Sequence, residues 1–243
     1  MVGYVIMGRE PDIARAIASG GVLPSHRQWG IGSLLLDTVL GHATDLGFLV
    51  LHVELPPETG PAEALLARRG FEHVRTHWQL RREFSTPTEL AIPMGYALRR
   101  AQPGEVPVLA ALQNQAFEGS WGYSPNTPGE LHYDMYESGP QPFDALVLEA
   151  KGTITAYCLV RASTGPDEAS FIGMVGTRPS AQGQGLGRAV TGAGIDHLLG
   201  LGAHRINITV DSENGAAIRI YEGLGFQRVG STYWYELQLG ARS

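Results

Sequence analysis

The sequence predicts a mixed α/β fold made of one complete copy of a strand–turn–helix architecture and a partial copy ahead of it. Three observations carry this. The chain repeats itself: Pro24-Ser25-His26-Arg27-Gln28-Trp29-Gly30-Ile31-Gly32 falls on Pro179-Ser180-Ala181-Gln182-Gly183-Gln184-Gly185-Leu186-Gly187, at an offset of 155 residues held without a gap. In the same register Leu46-Gly47 meets Leu201-Gly202, Glu58 meets Glu213, Gly60 meets Gly215, Gly70-Phe71 meets Gly225-Phe226 and Val74 meets Val229. Each copy also alternates segments of strand period with segments of helix period around a glycine-rich turn. Solenoid repeats recur every ~20–50 residues, so an offset this long is domain duplication.

The elements follow in order. The first copy opens with a strand near Gly3 and reaches its glycine turn at Arg27–Gly32, followed by a helix. Leu51, Val53 and Leu55 then share one face of a strand, and Gly70 stops the helix after it. Residues 84–95, rich in polar residues and proline, read as a linker between units 1–83 and 96–243. Beyond it come a strand over Tyr96–Arg100, a helix over Glu105–Phe117 and a turn-rich stretch from Glu118 to Gly129. His132-Tyr133-Asp134 reads as helix surface, and strands follow over Phe143–Glu149, Thr153–Arg161 and Ser170–Gly176. A helix over Leu186–Leu201 precedes a strand with Ile206, Ile208 and Val210 on one face and Asn207 and Thr209 on the other. Asn214 begins the last helix, Gly223-Leu224-Gly225 ends it, and Phe226–Leu239 reads as one or two strands.

The first copy lacks the opening strands and helix of the second. It cannot close its own core, and its strand edge near Gly3 is open to pairing with the carboxyl-terminal half or with a second subunit as a homodimer. A start further upstream in the gene is the alternative expectation.

Composition narrows the function. Hydrophobic residues make up 43% of the 243 and charged residues 17%, enough for a buried core and too little charge for a disordered chain. The net charge of −6, with no lysine or arginine run, argues against a nucleic-acid partner. The one cysteine, Cys158, excludes an internal disulfide and reads as a small apolar residue within a strand. None of the eight histidines lies in a zinc-binding spacing, so no metal site is expected. No apolar segment reaches the ~18 residues of a membrane span, and Met1–Met7 meets Arg9-Glu10-Pro11 too early for a signal peptide, so a cytoplasmic location and no membrane partner are expected. Asn207-Ile208-Thr209 matches a glycosylation sequon but reads as strand.

The chemistry lies at the glycine turns. Glycines ahead of a helix let backbone amides converge on an anion, and the helix amino end adds partial positive charge. The stretch Gly183–Arg188 fails G-x-G-x-x-G because Arg188 occupies the third glycine position, which disfavours a doubly wound nucleotide-binding domain, and no P-loop sequence exists. What fits is [R/Q]-x-x-G-x-[G/A], once as Gln182–Gly187 and once as Arg27–Gly32, for which a plain tight turn is the competing reading. Downstream, Asn214, Ala217, Tyr221 and Gly225-Phe226 follow at intervals of three, four and four, along one side of a helix.

Together these motifs resemble the GNAT superfamily of N-acetyltransferases, and the tandem arrangement resembles its mycothiol-synthase-like subgroup. The resemblance spans about 96–243 as a complete domain and about 1–83 as the carboxyl-terminal part of another. It implies the GNAT fold and acetyl-CoA as co-substrate. It implies that Val175, Gly176 and Thr177 pair with the pantetheine arm, and that Gln182, Gly183, Gln184, Gly185, Leu186, Gly187 and Arg188 bind the pyrophosphate. Asn214, with Ala217 beside it in the motif, would contact the cofactor, and Tyr221 would protonate the departing thiolate as the catalytic acid; an aromatic packed on the sheet is the other reading of that tyrosine. Phe117–Pro125 resembles the subgroup's substrate-side loop.

The pattern also breaks. Many members carry a glutamate base eight residues before the proline, where this chain has Phe171; the nearest acids are Asp167, Glu168, Asp211 and Glu213. An amine of low pKa would need no dedicated base, and the base stays unassigned. In the first copy the corresponding position is Ala16, the tyrosine position holds Leu66, the asparagine position holds Thr59, and Trp29 adds bulk at the loop mouth. The expected activity is acetyl transfer to a small-molecule amine by direct attack in a ternary complex, in the carboxyl-terminal domain. A non-catalytic acyl-CoA-binding or sensing protein is the alternative.

Overall fold

The computed structural model describes residues 1–83, 86–139, 141, 143–165 and 168–240. The chain divides into two compact units, one formed by Met1–Trp78 together with the chain from Gly230 onward, the other by Gln79–Val229.

In the first unit β1 (Gly3–Glu10) and β2 (Arg15–Val22) form an antiparallel pair in register from Gly3↔Val22 to Glu10↔Arg15. Helix α1 (Ile31–Asp45) leads to β3 (Val50–Leu55), which lies parallel to β2, and α2 (Gly60–Arg68) leads to β4 (Glu72–Arg82). The last strand of the chain, β10 (Gln227–Gln238), lies antiparallel to β3 from Tyr233↔Leu55 to Gln238↔Val50. The strand order here is β1-β2-β3-β10-β4. A strand of the second copy thus lies between β3 and β4 of the first, and its Tyr235 and Leu237 pack against the first unit's core. Within the β3–β10 register His52 faces Glu236, with Nε2 and Oε2 2.7 Å apart. The core gathers Ala16, Leu36, Val39, Ala43, Phe48, Leu51, Leu66 and Phe71, with Tyr235 and Leu237 packed against it. Strand β1 lies at the outer edge of the sheet with β2 as its one neighbour, so it does not pair with the carboxyl-terminal half, which was one of the two expectations for this edge.

In the second unit β5 (Ala97–Arg100), α3 (Val106–Phe117) and α4 (Pro128–Tyr136) precede three antiparallel strands, β6 (Asp144–Ala150), β7 (Thr153–Arg161) and β8 (Ser170–Thr177). Then come α5 (Leu186–Gly200), β9 (Ile206–Asp211), α6 (Gly215–Glu222) and the start of β10, with the strand order β4-β9-β8-β7-β6-β5. Helix α4 begins inside the stretch read as turns, and its start is fixed by a capping box in which Thr127 and Glu130 satisfy each other's backbone N–H groups. Leu131 and Met135 of α4 join Leu109 and Leu112 of α3 over the buried face of β6 and β7. On the other face α5 sits so close to β7 that a Cβ on Gly194 would lie 2.7 Å from Cys158 Sγ. Cys158 is fully buried in the strand. In β9, Ile206, Ile208 and Val210 are buried as the alternation requires. Thr88, from the stretch read as a linker, is tied to the side of α5: its N–H and hydroxyl donate to the Asp196 carboxylate at 2.7 and 2.8 Å.

Candidate functional site

Strand β8 pairs with β7 from Phe171 to Thr177, but its parallel ladder to β9 ends at Ile172↔Ile208. Beyond that pair the two strands continue to Thr177 and Asp211 without further register, so β8 from Gly173 onward offers one unlaced edge. Val175, Gly176 and Thr177 lie on this edge. A one-residue shift against β7 at Leu159/Val160 leaves Gly173 as the extra residue of β8, a bulge that bends the strand where the divergence begins.

After β8 the chain makes a short 3-10 turn, Pro179–Ala181, and enters the glycine loop. Gly183 and Gly185 take φ values of +76° and +77°, which a side chain would strain. Gly185 is the residue before α5, and no side chain caps that helix, so its first amides are left to an anion or to water. The surrounding side chains hold the loop instead of filling it. Gln182 Nε2 donates to the Thr177 carbonyl at 3.4 Å, and Tyr96 donates to Gln184 Oε1 at 3.0 Å. Arg188 Nη2 donates to the Gly223 carbonyl at 3.1 Å, tying the start of α5 to the end of α6. Arg178 braces the same turn from below, through its own N–H to the Thr155 carbonyl and Nη2 to the Ile154 carbonyl. Leu186 is buried at the helix start, and a Cβ on Gly187 would meet Thr177 and Ile220 at ordinary contact distance. A cradle with bare amides, positive-φ glycines and an unlaced strand edge fits a phosphorylated thioester carrier.

Asn214 does begin α6, and its side chain accepts the Ala217 N–H at 3.0 Å. Its Oδ1 is thereby committed to the helix cap, which leaves its amide NH₂ for a ligand. Tyr221 projects from the next turns of α6 with only 7% of its surface exposed, and its ring meets Phe226 edge-on at 6.1 Å. Burial, and secondarily the neighbouring Cys158, push its phenol well above the usual tyrosine range, so it is a proton donor at any physiological pH. Its hydroxyl has no hydrogen-bond partner among the described residues.

The sequence reading missed four further residues here. Tyr157 on β7 is fully buried, and its hydroxyl has no hydrogen-bond partner among the described residues. Its ring occupies the space that a side chain at Gly176 would need. Phe143 seats its ring in the same way over Gly173, and the Arg161 guanidinium lies 3.9 Å from the centre of that ring. Thr209 lines the divergence from the β9 side. Two glycines inside one strand, Gly173 and Gly176, were the available signal, since glycine in a strand marks a bulge or a close approach.

Phe171, in the position where a base was sought, is 47% exposed and carries no titratable group. Of the acids nearby, Glu168 is held low by hydrogen bonds from Thr164, Glu213 donates its N–H to Asp211, and Asp167 lies outside the described residues. The loop over Phe117–Pro125 is ordered by Asn114, whose Oδ1 accepts from the Tyr123 hydroxyl at 2.6 Å and the Asn126 N–H at 2.9 Å.

The first unit shows how far the two copies match. Its β2–β3 ladder also stops early, at Ala18↔Val53, and Gly30 at φ +80° precedes an uncapped α1. Gln28 takes φ +65° where the second copy has Gly183. The tyrosine position holds Leu66, buried in the core, and Thr59 spends its hydroxyl on the Pro56 carbonyl at 2.9 Å. Trp29 is 72% exposed and edge-on to His26.

Comparison with known proteins adds to this geometry. The chain matches the Acetyltransferase (GNAT) family over residues 1–71 and 107–226. It is 30% identical to the mycothiol acetyltransferase of Thermomonospora curvata, over 97% of this chain and 78% of that protein. Its fold is similar to that of a GCN5-related N-acetyltransferase from Sphaerobacter thermophilus, with a TM-score of 0.79 at 20% identity, covering 98% of this chain and 77% of the other. It is also similar to a tandem GNAT protein from the clavulanic acid biosynthesis pathway, with a TM-score of 0.80 at 16% identity, covering 100% and 80%.

Proposed function

From the premise that this chain belongs to the GNAT acetyltransferase family and is an N-acetyltransferase of that type, we propose that its chemistry takes place in the carboxyl-terminal half, residues 96–243, with residues 1–83 as a degenerate copy. The co-substrate in this reading is acetyl-CoA, the acetyl donor of the family. Its pyrophosphate would meet the amides of Gln182–Arg188, and its pantetheine arm would lace onto Val175–Thr177. Asn214 would contribute its side-chain NH₂, with Ala217, whose N–H donates to the Asn214 side chain, beside it at the cofactor.

The acceptor is a small-molecule amine, and transfer is direct. The amine lone pair attacks the thioester carbonyl carbon, the C–N bond forms and the C–S bond breaks. A backbone amide of β8 would polarise the carbonyl oxygen, a term of the oxyanion-hole kind. The leaving sulfur takes its proton from the Tyr221 hydroxyl, the proton released by the amine passes to solvent, since Phe171 offers no base, and solvent returns a proton to Tyr221. The observation that supports this most is Tyr221 itself: a buried phenol, held protonated and without a hydrogen-bond partner among the described residues, on the helix that Arg188 ties to the glycine loop.

The test has two parts. Calorimetric titration of CoA into the full chain should give binding that Gly185→Val abolishes, because φ +77° and the approach of phosphate both need glycine there. Thiol release from acetyl-CoA across a panel of amines should show transfer. Equal CoA affinity in parent and variant would remove the assignment of the cradle.

A further inference from the structure

A cavity of about 290 Å³ opens where β8 and β9 part, lined by Phe143, Arg161, Phe171, Ile172, Gly173 and Thr209. Gly173 and Thr209 are the first residues beyond the last pair of the ladder, so the cavity continues into the unlaced edge of β8 that leads to Gly176. We propose that this cavity takes the acceptor, and that the acceptor is a small aromatic amine bearing a carboxylate, an aminobenzoate being the simplest example. The proposal rests on the acetyl-transfer reading above and names its substrate class.

The charge argument comes from Arg161. Its Nη2 donates to Ser138 Oγ at 2.8 Å and its Cζ lies over the Phe143 ring, while its Nε is buried with no partner among the described residues. No carboxylate pairs with it among the described residues. Elsewhere the second unit does provide such pairs: Arg99 is held between Glu105 at 2.7 Å and Glu149 at 2.5 Å. A half-buried guanidinium that meets no carboxylate among the described residues is suited to a ligand that supplies the charge, and its fork matches a carboxylate.

The shape argument comes from the phenylalanines. Phe143 is fixed over Gly173, where a Cβ would lie 2.6 Å from its ring, and Phe171 stands half exposed on the same strand. Two aromatic walls beside a cation suit a flat ring with an anionic substituent.

The proton argument comes from what lines the cavity. None of its six lining residues can take a proton from an ammonium. An alkylamine, with a pKa near ~10, is almost wholly protonated at neutral pH, so it would arrive unreactive. An arylamine is uncharged there and needs no base. Cation, aromatic walls and missing base therefore select one class.

The experiment uses the full chain, parent, Arg161→Gln and Arg161→Lys, with CoA titration confirming that each variant keeps its fold. Benzoate is titrated as a binding probe, and 4-aminobenzoate, its ethyl ester, aniline and an alkylamine panel are compared as acceptors. We expect benzoate to bind the parent and not Arg161→Gln. We expect kcat/KM for 4-aminobenzoate to exceed that for its ester and to fall about 10- to 100-fold in Arg161→Gln, mostly through KM, with the ester unaffected and Arg161→Lys intermediate. Failure of benzoate to bind, or an acid-over-ester preference that survives Arg161→Gln, overturns the proposal. Efficient acetylation of alkylamines with none of 4-aminobenzoate also overturns it and leaves the acetyl-transfer reading standing. Arg161-dependent benzoate binding with no thiol release from any amine supports the subsite and counts against acetyl transfer instead.

Discussion

The ring of Tyr157 lies where a side chain at Gly176 would have to go: a Cβ there would stand 2.4 Å from Tyr157 Cε1. The two residues are paired across β7 and β8, so neither strand can shift without breaking the ladder. Gly176→Ala should therefore destabilise the protein by about 1–3 kcal/mol through overpacking. It should also weaken CoA binding, because the displaced strand is the one with the unlaced edge. A denaturant melt together with CoA titration checks both.

The hydroxyl of the same tyrosine gives a prediction of opposite sign. It is buried with no partner among the described residues, and an unsatisfied buried hydroxyl costs about 1–3 kcal/mol. Tyr157→Phe keeps the ring that Gly176 packs on and removes only that oxygen. The melting temperature of Tyr157→Phe should equal or exceed that of the parent; a clear drop would mean the hydroxyl is satisfied in solution.

Stability should decline on the alkaline side, and the sign follows from three buried acids. Burial raises the Cys158 thiol and the Tyr157 and Tyr221 phenols, so the folded state holds these protons after the unfolded chain has released them. Their contribution is complete below the unfolded values, about 8.5 for cysteine and about 10 for tyrosine, and is lost as pH rises beyond them. Each group then removes up to about 1.4 kcal/mol per pH unit. Urea melts from pH 7.5 to 10.5, a range chosen to span those values, should show the decline beginning near the cysteine value, and Cys158→Ala should postpone its onset.

The loop of the first copy carries strain that the second avoids. Gln28 sits at φ +65° where its counterpart is Gly183 at +76°. A residue with a Cβ in the left-handed region costs about 1 kcal/mol or more, partly offset by the entropy glycine loses on folding. Gln28→Gly should be neutral or stabilising by up to about 1 kcal/mol in a thermal melt, whereas Gly183→Gln should destabilise.

Much of this architecture was legible in the sequence, and the parts that were not share a physical reason. The β9 alternation, the Asn214 cap and the Gly185 turn are local features, written within a few residues of where they act. The start of α4 was equally local, since Thr127-x-x-Glu130 is a capping-box pattern, but the glycines and prolines around it masked the signal. The exchange that sets β10 beside β3 depends on residues far apart along the chain, such as His52 and Glu236, and no local pattern encodes it. The same holds for the site. The glycine loop at Gln182–Arg188 and the helix that carries Tyr221 follow from spacing within two short segments, while Tyr157, Phe143 and Arg161 stand out only through what their strands bring next to Gly173 and Gly176.

The central claim is that Tyr221 delivers the proton to the departing sulfur, and one measurement addresses it directly: steady-state thiol release by Tyr221→Phe on a good acceptor, with CoA affinity measured on the same preparation. Removing the hydroxyl leaves the ring against Phe226 and the helix in place, so CoA affinity should stay within about twofold while kcat falls about 10²–10⁴-fold, the usual loss when a general acid is removed. Turnover by Tyr221→Phe equal to that of the parent, with unchanged CoA affinity, would contradict the account and leave Tyr221 as a packing residue.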